Sequence, residues 1–435
     1  MIILKRKIYD ELIAWKNLKS DKMPLVLYGA RQIGKTWVLQ EFGKNNYKNT
    51  VYVNFERESN LLPYFEDNIS PKNIINILEE YYNEKIIPKE TLIIFDEIQT
   101  CNRALTSLKY FAEDAKEYDV VAAGSLLGVH INSINFSFPV GKVITKTMYP
   151  MDFKEFLWAL NKNILLQKIE ESFNNNIPLE DGFHKEALEL YDRYMLVGGM
   201  PLSVECYVKS LEGNQGLNYG EIQRIIIETY TSDMVKYSDK SQGIKTISTY
   251  ESIAPQLAKD NKKFKYSAIE KGARASIFGD SIDWLIRSGI ILKCDKTTRG
   301  DVPPNIYSDV SSFKLYMNDI GLLSYKIGLN TMNRDNLNNI FMGGVTENYI
   351  ATSLKSNNYS LYYWESDGKA EVDYLIQKNG NIIPIEVKTS EHNKSKSLYI
   401  YMKKYSPKYA IRISKRNFGF ENNIKSVPLY AAYLI

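Results

Sequence analysis

Three cysteines and three histidines are all the thiolate and imidazole ligands this sequence has. Cys101, Cys206 and Cys294 lie far apart and form no C-x-x-C pair, which excludes a zinc knuckle and a thiol redox motif and fits a reducing compartment. With only His130, His184 and His392 besides, any catalytic metal must lean on carboxylates and water, the ligand set of magnesium or manganese rather than zinc. Long hydrophobic runs are missing too. Met1 to Leu12 has one short apolar run before its charges begin, and nothing later approaches a membrane span, so a cytoplasmic protein with no membrane partner is expected. Strong net charge is also absent: +4 at pH 7 is too little to name nucleic acid as a partner, and only local clusters can carry that argument.

What the chain does have is apolar mass, 44% hydrophobic and 12% aromatic residues over 435 positions, more than one core usually absorbs. From Pro24 to Thr147, buried-strand runs at Leu25 to Tyr28, Thr50 to Phe55, Thr91 to Phe95 and Asp119 to Ala123 alternate with helical stretches, predicting an α/β domain with a mostly parallel sheet. Beyond Pro150, amphipathic helices follow at Asp152 to Leu160, His184 to Val197 and Glu221 to Tyr237, and read as a helical lid. Helical stretches at Tyr266 to Arg274 and Ser276 to Arg287, then Gly289 and an extended segment with Pro303 and Pro304, suggest a winged helix. From Gly343 to the end, a helix, three strand-like runs, a helix rich in tyrosine and lysine, and a strand at Tyr409 to Ile413 predict a separate small α/β domain.

One motif names its own chemistry. Gly29-Ala30-Arg31-Gln32-Ile33-Gly34-Lys35-Thr36 follows a buried strand and opens the helix that begins with Trp37, so its N–H groups converge on an anion at a positive helix end. Gly29 and Gly34 allow the backbone angles this needs. Lys35 is expected to hold the β- and γ-phosphates, and Thr36 to give its hydroxyl to Mg²⁺. The bland alternative is a glycine turn before an ordinary helix. Asp96 and Glu97 close a hydrophobic strand where α/β sheets bind ligands: Asp96 would orient the Mg²⁺ shell and Glu97 would polarise the attacking water, against a plain solvated acidic pair. Ser125, after Gly124 at another strand end, is placed to sense the γ-phosphate or to close an ordinary Gly-Ser turn.

A second constellation lies near the C-terminus. Glu347 on a helix, Asp373 in a strand, and Glu386 and Lys388 two apart in the next strand, across the Asn379-Gly380 hairpin, have the spacing of a magnesium nuclease and equally that of a solvated sheet edge. Two basic clusters stand nearby. Lys394, Lys396, Lys403, Lys404, Lys408, Arg412, Lys415 and Arg416 meet one acid, Glu391, with Tyr399, Tyr401 and Tyr405 interleaved; Lys259, Lys262, Lys263, Lys265, Lys271 and Arg274 sit at the winged-helix stretch. Each is a nucleic-acid face or simply a solvated one.

These motifs, with Tyr149-Pro-Met-Asp-Phe-Lys-Glu-Phe156, Gly198-Gly-Met-Pro201, Phe313-Lys-Leu-Tyr-Met-Asn-Asp-Ile-Gly321 and Ile385-Glu-Val-Lys388, resemble the bacterial and archaeal AAA+-like ATPases with a DUF4143-type C-terminal region. The resemblance implies a P-loop AAA+-like core (1–150), a helical lid (151–245), a winged-helix-like region (246–330) and a PD-(D/E)xK nuclease-like domain (331–435). Gly198-Gly-Met-Pro201 also resembles the Gly-x-Pro turn of signalling ATPases, which implies Pro201 at the adenine, with a helix-breaking turn as the bland alternative. The loop and its carboxylates make ATP and Mg²⁺ the expected cofactors, and the basic clusters make DNA the expected partner, with a homo-oligomer left open. Relatives often carry Gly-Arg where this chain has Gly141-Lys142, and lysine lacks arginine's fork. The competing expectation is a nucleotide-switched scaffold whose C-terminal domain binds without cutting.

Overall fold

The computed structural model describes residues 4–20, 22–125, 138–214, 216–236, 239–259, 262–329, 339–366, 370–389 and 395–435. The chain forms two compact units, one of Lys5–Tyr149 with Arg287–Gly289, the other of Pro150–Ile286 and Ile290–Ile435 with Leu4.

In the first unit, β1 (Leu25–Tyr28), β2 (Asn49–Asn54), β3 (Thr91–Asp96), β4 (Asp119–Ala123) and β5 (Ile144–Thr147) form a parallel sheet in the order β2-β3-β4-β1-β5. Every residue of β3 and β4 is buried, as continuous apolar runs covered on both faces require. The core on one face gathers Phe55, Phe65 and Phe95 with their ring centroids 5.2 to 6.1 Å apart. The expected α/β sheet is present, and β5, an edge strand of alternating burial with Lys146 between two threonines, joins it.

In the second unit, helices occupy Phe153–Ala159, Asn163–Asn175, Asp181–Val197, Pro201–Leu211, Tyr219–Lys236 and Lys240–Leu257. A capping box starts the first: Asp152 Oδ1 accepts from Glu155 N and Glu155 Oε2 from Asp152 N, both at 3.0 Å. The stretch Tyr266 to Arg274 is not the expected helix. It makes one 3₁₀ turn at Tyr266–Ala268 and ends at Gly272, whose φ of +85° leaves the helical region; helix resumes at Ala275–Arg287.

An eight-stranded mixed sheet follows, built from β6 (Ile291–Thr297), β7 (Ser308–Met317), β8 (Tyr362–Ser366), β9 (Ala370–Lys378), β10 (Asn381–Val387), β11 (Ala410–Ser414), β12 (Gly419–Glu421) and β13 (Ile424–Pro428). Its order is β12-β13-β11-β10-β9-β8-β6-β7. Because β6 pairs in parallel with β8, the sheet runs across the boundary expected near residue 330. The Asn379-Gly380 hairpin joins β9 to β10 with both residues at positive φ, 50° and 73°. The helix Asn339–Ser356 and the helix Lys396–Tyr405 complete this part, the latter burying Leu398 and Tyr401 beside Trp364.

Candidate functional site

The phosphate loop joins β1 to the helix Lys35–Asn46, whose N-cap is Gly34 at φ 90°. Gly29, at φ +142°, has no room for a side chain: a Cβ there would stand 2.3 Å from the Met148 carbonyl. Between them Ala30 and Ile33 are buried, Gln32 turns outward at φ 64°, and Arg31 lies 3.8 Å from Glu56. Lys35 is 7% exposed and its Nζ donates to the carbonyls of Gly29 (2.9 Å) and Ala30 (2.7 Å). Burial lowers its pKa to about 8, against the opposing pull of Glu97 and Asp96. The ammonium is thus held inside the loop by carbonyls that a phosphate oxygen can replace with a stronger, charge-assisted partner. Trp37 follows, half-buried in the first helical turn.

Asp96 ends β3 and Glu97 follows it; β4, which stops two residues before Ser125, lies between that strand and β1. Thr36 Oγ1 donates to Asp96 Oδ2 at 2.7 Å, and Tyr52 OH donates to the same oxygen at 2.8 Å. Glu97 stands in the left-handed region (φ 48°, ψ 41°); its Oε2 accepts from Gln99 Nε2 at 2.6 Å and from Ser125 Oγ at 3.4 Å. The structure therefore brings Lys35, Thr36, Asp96, Glu97 and Ser125 together. A hydroxyl and a carboxylate oxygen 2.7 Å apart are hard ligands that fit Mg²⁺, which takes few protein oxygens.

Three further residues stand at this site without having a role in the sequence reading. Arg6, 4% exposed, donates from Nη1 to the Ile33 carbonyl and from Nη2 to the Tyr149 carbonyl, each at 2.6 Å, and so braces the loop from behind. Tyr52 fixes Asp96, and Gln99 fixes Glu97; period-2 alternation in β2 and the two-residue step from Glu97 are the only sequence signals for them. Lys142 pairs with Glu113 at 2.8 Å.

Pro201 begins the helix Pro201–Leu211 in the second unit, after a turn held by Asp319. Asp319 Oδ2 accepts from Gly199 N at 2.6 Å and Oδ1 from Leu322 N at 2.9 Å. Gly199 O in turn accepts from Met151 N (2.7 Å), and Gln223 Nε2 donates to the carbonyls of Leu196 and Val197. Three of the motifs that carry the resemblance are one hydrogen-bonded joint.

In the C-terminal part, Glu347, Asp373 and Glu386 lie within electrostatic reach of one another. Lysines of the chain stand among them. Lys262 and Lys314 both pair with Glu347, and Lys314, 1% exposed, also bonds Glu371 Oε1 at 2.6 Å. Lys388 pairs with Glu386 Oε1 at 2.6 Å. Burial would raise the Glu347 pKa, but Lys314 and Lys262 outweigh it and hold the carboxyl at about 2. Asp373 goes the other way, pushed well up by burial and by Glu347 and Glu386, and Oδ2 accepts the Val387 N–H at 2.7 Å. Among the described residues no group of three or more His, Cys, Asp or Glu is arranged to hold a metal ion. His130 and His392 lie outside the described residues, and His184 bonds Tyr430 OH at 2.7 Å.

The two basic clusters differ. Lys262 and Lys263 are engaged by Glu347 and Glu365, and the helix Ala275–Arg287 exposes Asp280 and Asp283, which a phosphate backbone would repel. By contrast Lys396, Lys403, Lys404, Lys408, Lys415 and Arg416 are exposed, while Lys394 and Glu391 lie outside the described residues. Tyr401 is fully buried and Tyr405 is partly buried on Trp364, so Tyr399 is the most exposed of the interleaved tyrosines.

Residues 21–157 match the family described as AAA domain, 188–333 a domain of unknown function (DUF8612) and 342–432 a domain of unknown function (DUF4143). The chain thus carries an AAA domain followed by a DUF4143 domain, on a P-loop α/β core. Among solved structures it is similar to the Walker-type ATPase of Pyrococcus abyssi (14% identity, 75% of this chain and 96% of that one, TM-score 0.44). Similar too are the Aeropyrum pernix ORC1 protein in complex with DNA (12%, 75% and 94%, 0.32) and AMPPCP-bound DnaA from Aquifex aeolicus (16%, 63% and 84%, 0.29). All three likenesses are distant. No curated protein matches the chain.

Proposed function

From the premise that residues 21–157 are an AAA domain and 342–432 a DUF4143 domain, we propose that this protein binds ATP and hydrolyses it to ADP and phosphate, and that its C-terminal domain contacts DNA. The observation that carries the reading is the meeting of Thr36, Asp96 and Glu97 beside the Lys35 loop. Lys35 exchanges the carbonyls of Gly29 and Ala30 for phosphate oxygens, and the loop N–H groups at the head of the helix Lys35–Asn46 take the remaining charge. Gln99 and Ser125 fix Glu97 through Oε2, so that the carboxylate is oriented to accept a proton from the attacking water. Bound at Thr36 and Asp96, Mg²⁺ would neutralise phosphate charge.

Lys35→Ala is expected to abolish binding of a fluorescent ATP analogue, and Glu97→Gln to retain binding while phosphate release stops. Undiminished turnover in the Glu97→Gln protein removes that residue from its role.

A second reading concerns the C-terminal domain, which the lysine-neutralised carboxylates favour as a contact surface that does not cut. Lys262 and Lys314 supply at Glu347 the positive charge that a metal would bring.

A further inference from the structure

The helix Lys396–Tyr405 has ten residues and two unlike faces. Leu398 and Tyr401 are fully buried against the sheet, with Tyr401 5.1 Å from Trp364. Lys396, Tyr399, Ile400, Lys403 and Lys404 are exposed, and their spacing of three and four residues puts them on one side of the helix. Tyr399 is 50% and Ile400 44% exposed, an aromatic and an aliphatic side chain set between cations.

Lys404 Nζ lies over the Tyr405 and Trp364 rings, 5.1 and 5.6 Å from their centroids, and keeps its charge. From Ser395 to Phe418 the sequence contains no Asp or Glu, and among the described residues Lys396, Lys403 and Lys408 pair with no carboxylate. Other lysines of the same unit are paired, as at Lys263 with Glu365 and Lys326 with Glu251, both at 2.6 Å. A stripe of cations with no acid in its own stretch of sequence is complementary to a polyanion.

We propose that this face binds single-stranded nucleic acid, with Lys396, Lys403 and Lys404 on phosphates and Tyr399 stacked on a base. The proposal rests on the reading that the C-terminal domain contacts DNA, and it names the strand state. A duplex offers its backbone and the edges of its bases but keeps the base faces in the stack, so Tyr399 would find no ring to stack on. An unpaired strand offers base faces, each a partner for a tyrosine ring whatever the sequence. A lipid surface fits less well: the apolar side an amphipathic helix would insert is already packed on the sheet through Leu398 and Tyr401.

The test is fluorescence anisotropy on the full chain with labelled fifteen-residue oligo-dT, oligo-rU and a mixed-sequence duplex of the same length, between 50 and 200 mM salt. Both single strands are expected to bind more tightly than the duplex. Tyr399→Ala should weaken them by about tenfold while Tyr399→Phe retains binding, since stacking needs the ring and not the hydroxyl. Lys403→Glu with Lys404→Glu should lower the slope of log affinity on log salt by about one to two. All three substituted side chains are at the surface, so these variants fold. Tighter binding to duplex overturns the proposal and leaves the DNA reading standing; an unchanged Tyr399→Ala affinity overturns the stacking role. Binding of neither strand nor duplex defeats both.

Discussion

The carboxylate of Asp319 accepts the backbone N–H of Gly199 at 2.6 Å across 120 positions of sequence. Asp319 is 2% exposed, and burial lifts its pKa to about 6 against the pull of the N–H groups of Gly199, Leu322 and Gly321. Removing the acceptor leaves buried donors unsatisfied, so Asp319→Ala is expected to lower stability by about 1–3 kcal/mol for each orphaned N–H, read by urea denaturation.

The same carboxyl gives a pH signature. Its folded pKa lies above its unfolded value, so the folded state holds the proton more tightly: the contribution is fully present below about pH 4 and is lost as pH rises through about 6. The groups facing it, Tyr194, Tyr230 and Tyr250, have raised pKa values and stay protonated throughout. The stability difference between wild type and Asp319→Asn, measured from pH 4 to 7, should therefore change in that window; a flat difference counts against it.

Gly199 itself has no alternative. A Cβ there would stand 1.9 Å from the Met151 carbonyl, a backbone atom that cannot swing aside, whereas one on Gly216 meets nothing within 4 Å. Gly199→Ala is expected to unfold the joint, seen as a large fall in melting temperature, and Gly216→Ala to change stability by no more than about 1 kcal/mol.

Lys314 compensates Glu347 and Glu371 while 1% exposed. Lys314→Met should cost about 3–5 kcal/mol by leaving a buried carboxylate underpaired, and adding Glu347→Gln should recover much of it. On the non-cutting reading, Mg²⁺ or Mn²⁺ leaves single- and double-stranded DNA intact. Cleavage that Asp373→Ala abolishes would restore the nuclease reading.

Arg6 holds two carbonyls, Ile33 and Tyr149, at 2.6 Å. Each bond from a charged group contributes about 1.5–3 kcal/mol, so Arg6→Ala should loosen the phosphate loop and weaken ATP binding by at least about tenfold in a binding titration. Unchanged affinity would show that the loop holds its shape without this brace.

Local chemistry made much of this legible. The P-loop announces itself because Gly29 and Gly34 meet backbone demands nothing else satisfies, and β1 and β4 stand where their apolar runs predict them. What was hidden is non-local. The pairing of β6 with β8 joins segments with more than sixty residues between them, and Lys262 reaches Glu347 over 85 positions, distances at which periodicity carries no signal. Tyr266 to Arg274 has helical composition, yet Gly272 at positive φ outweighs it. Arg6 looks like any N-terminal cation until the carbonyls it holds are seen.

Glu97 occupies a backbone conformation that disfavours it, since a side chain in the left-handed region carries a strain of about 1–2 kcal/mol that glycine escapes. Folding and chemistry thus ask for different residues at one position. With Glu97 in the water-activating role proposed above, a selection for thermal resistance alone would drift toward glycine at 97 and yield a sturdier protein that grips nucleotide and cannot turn it over.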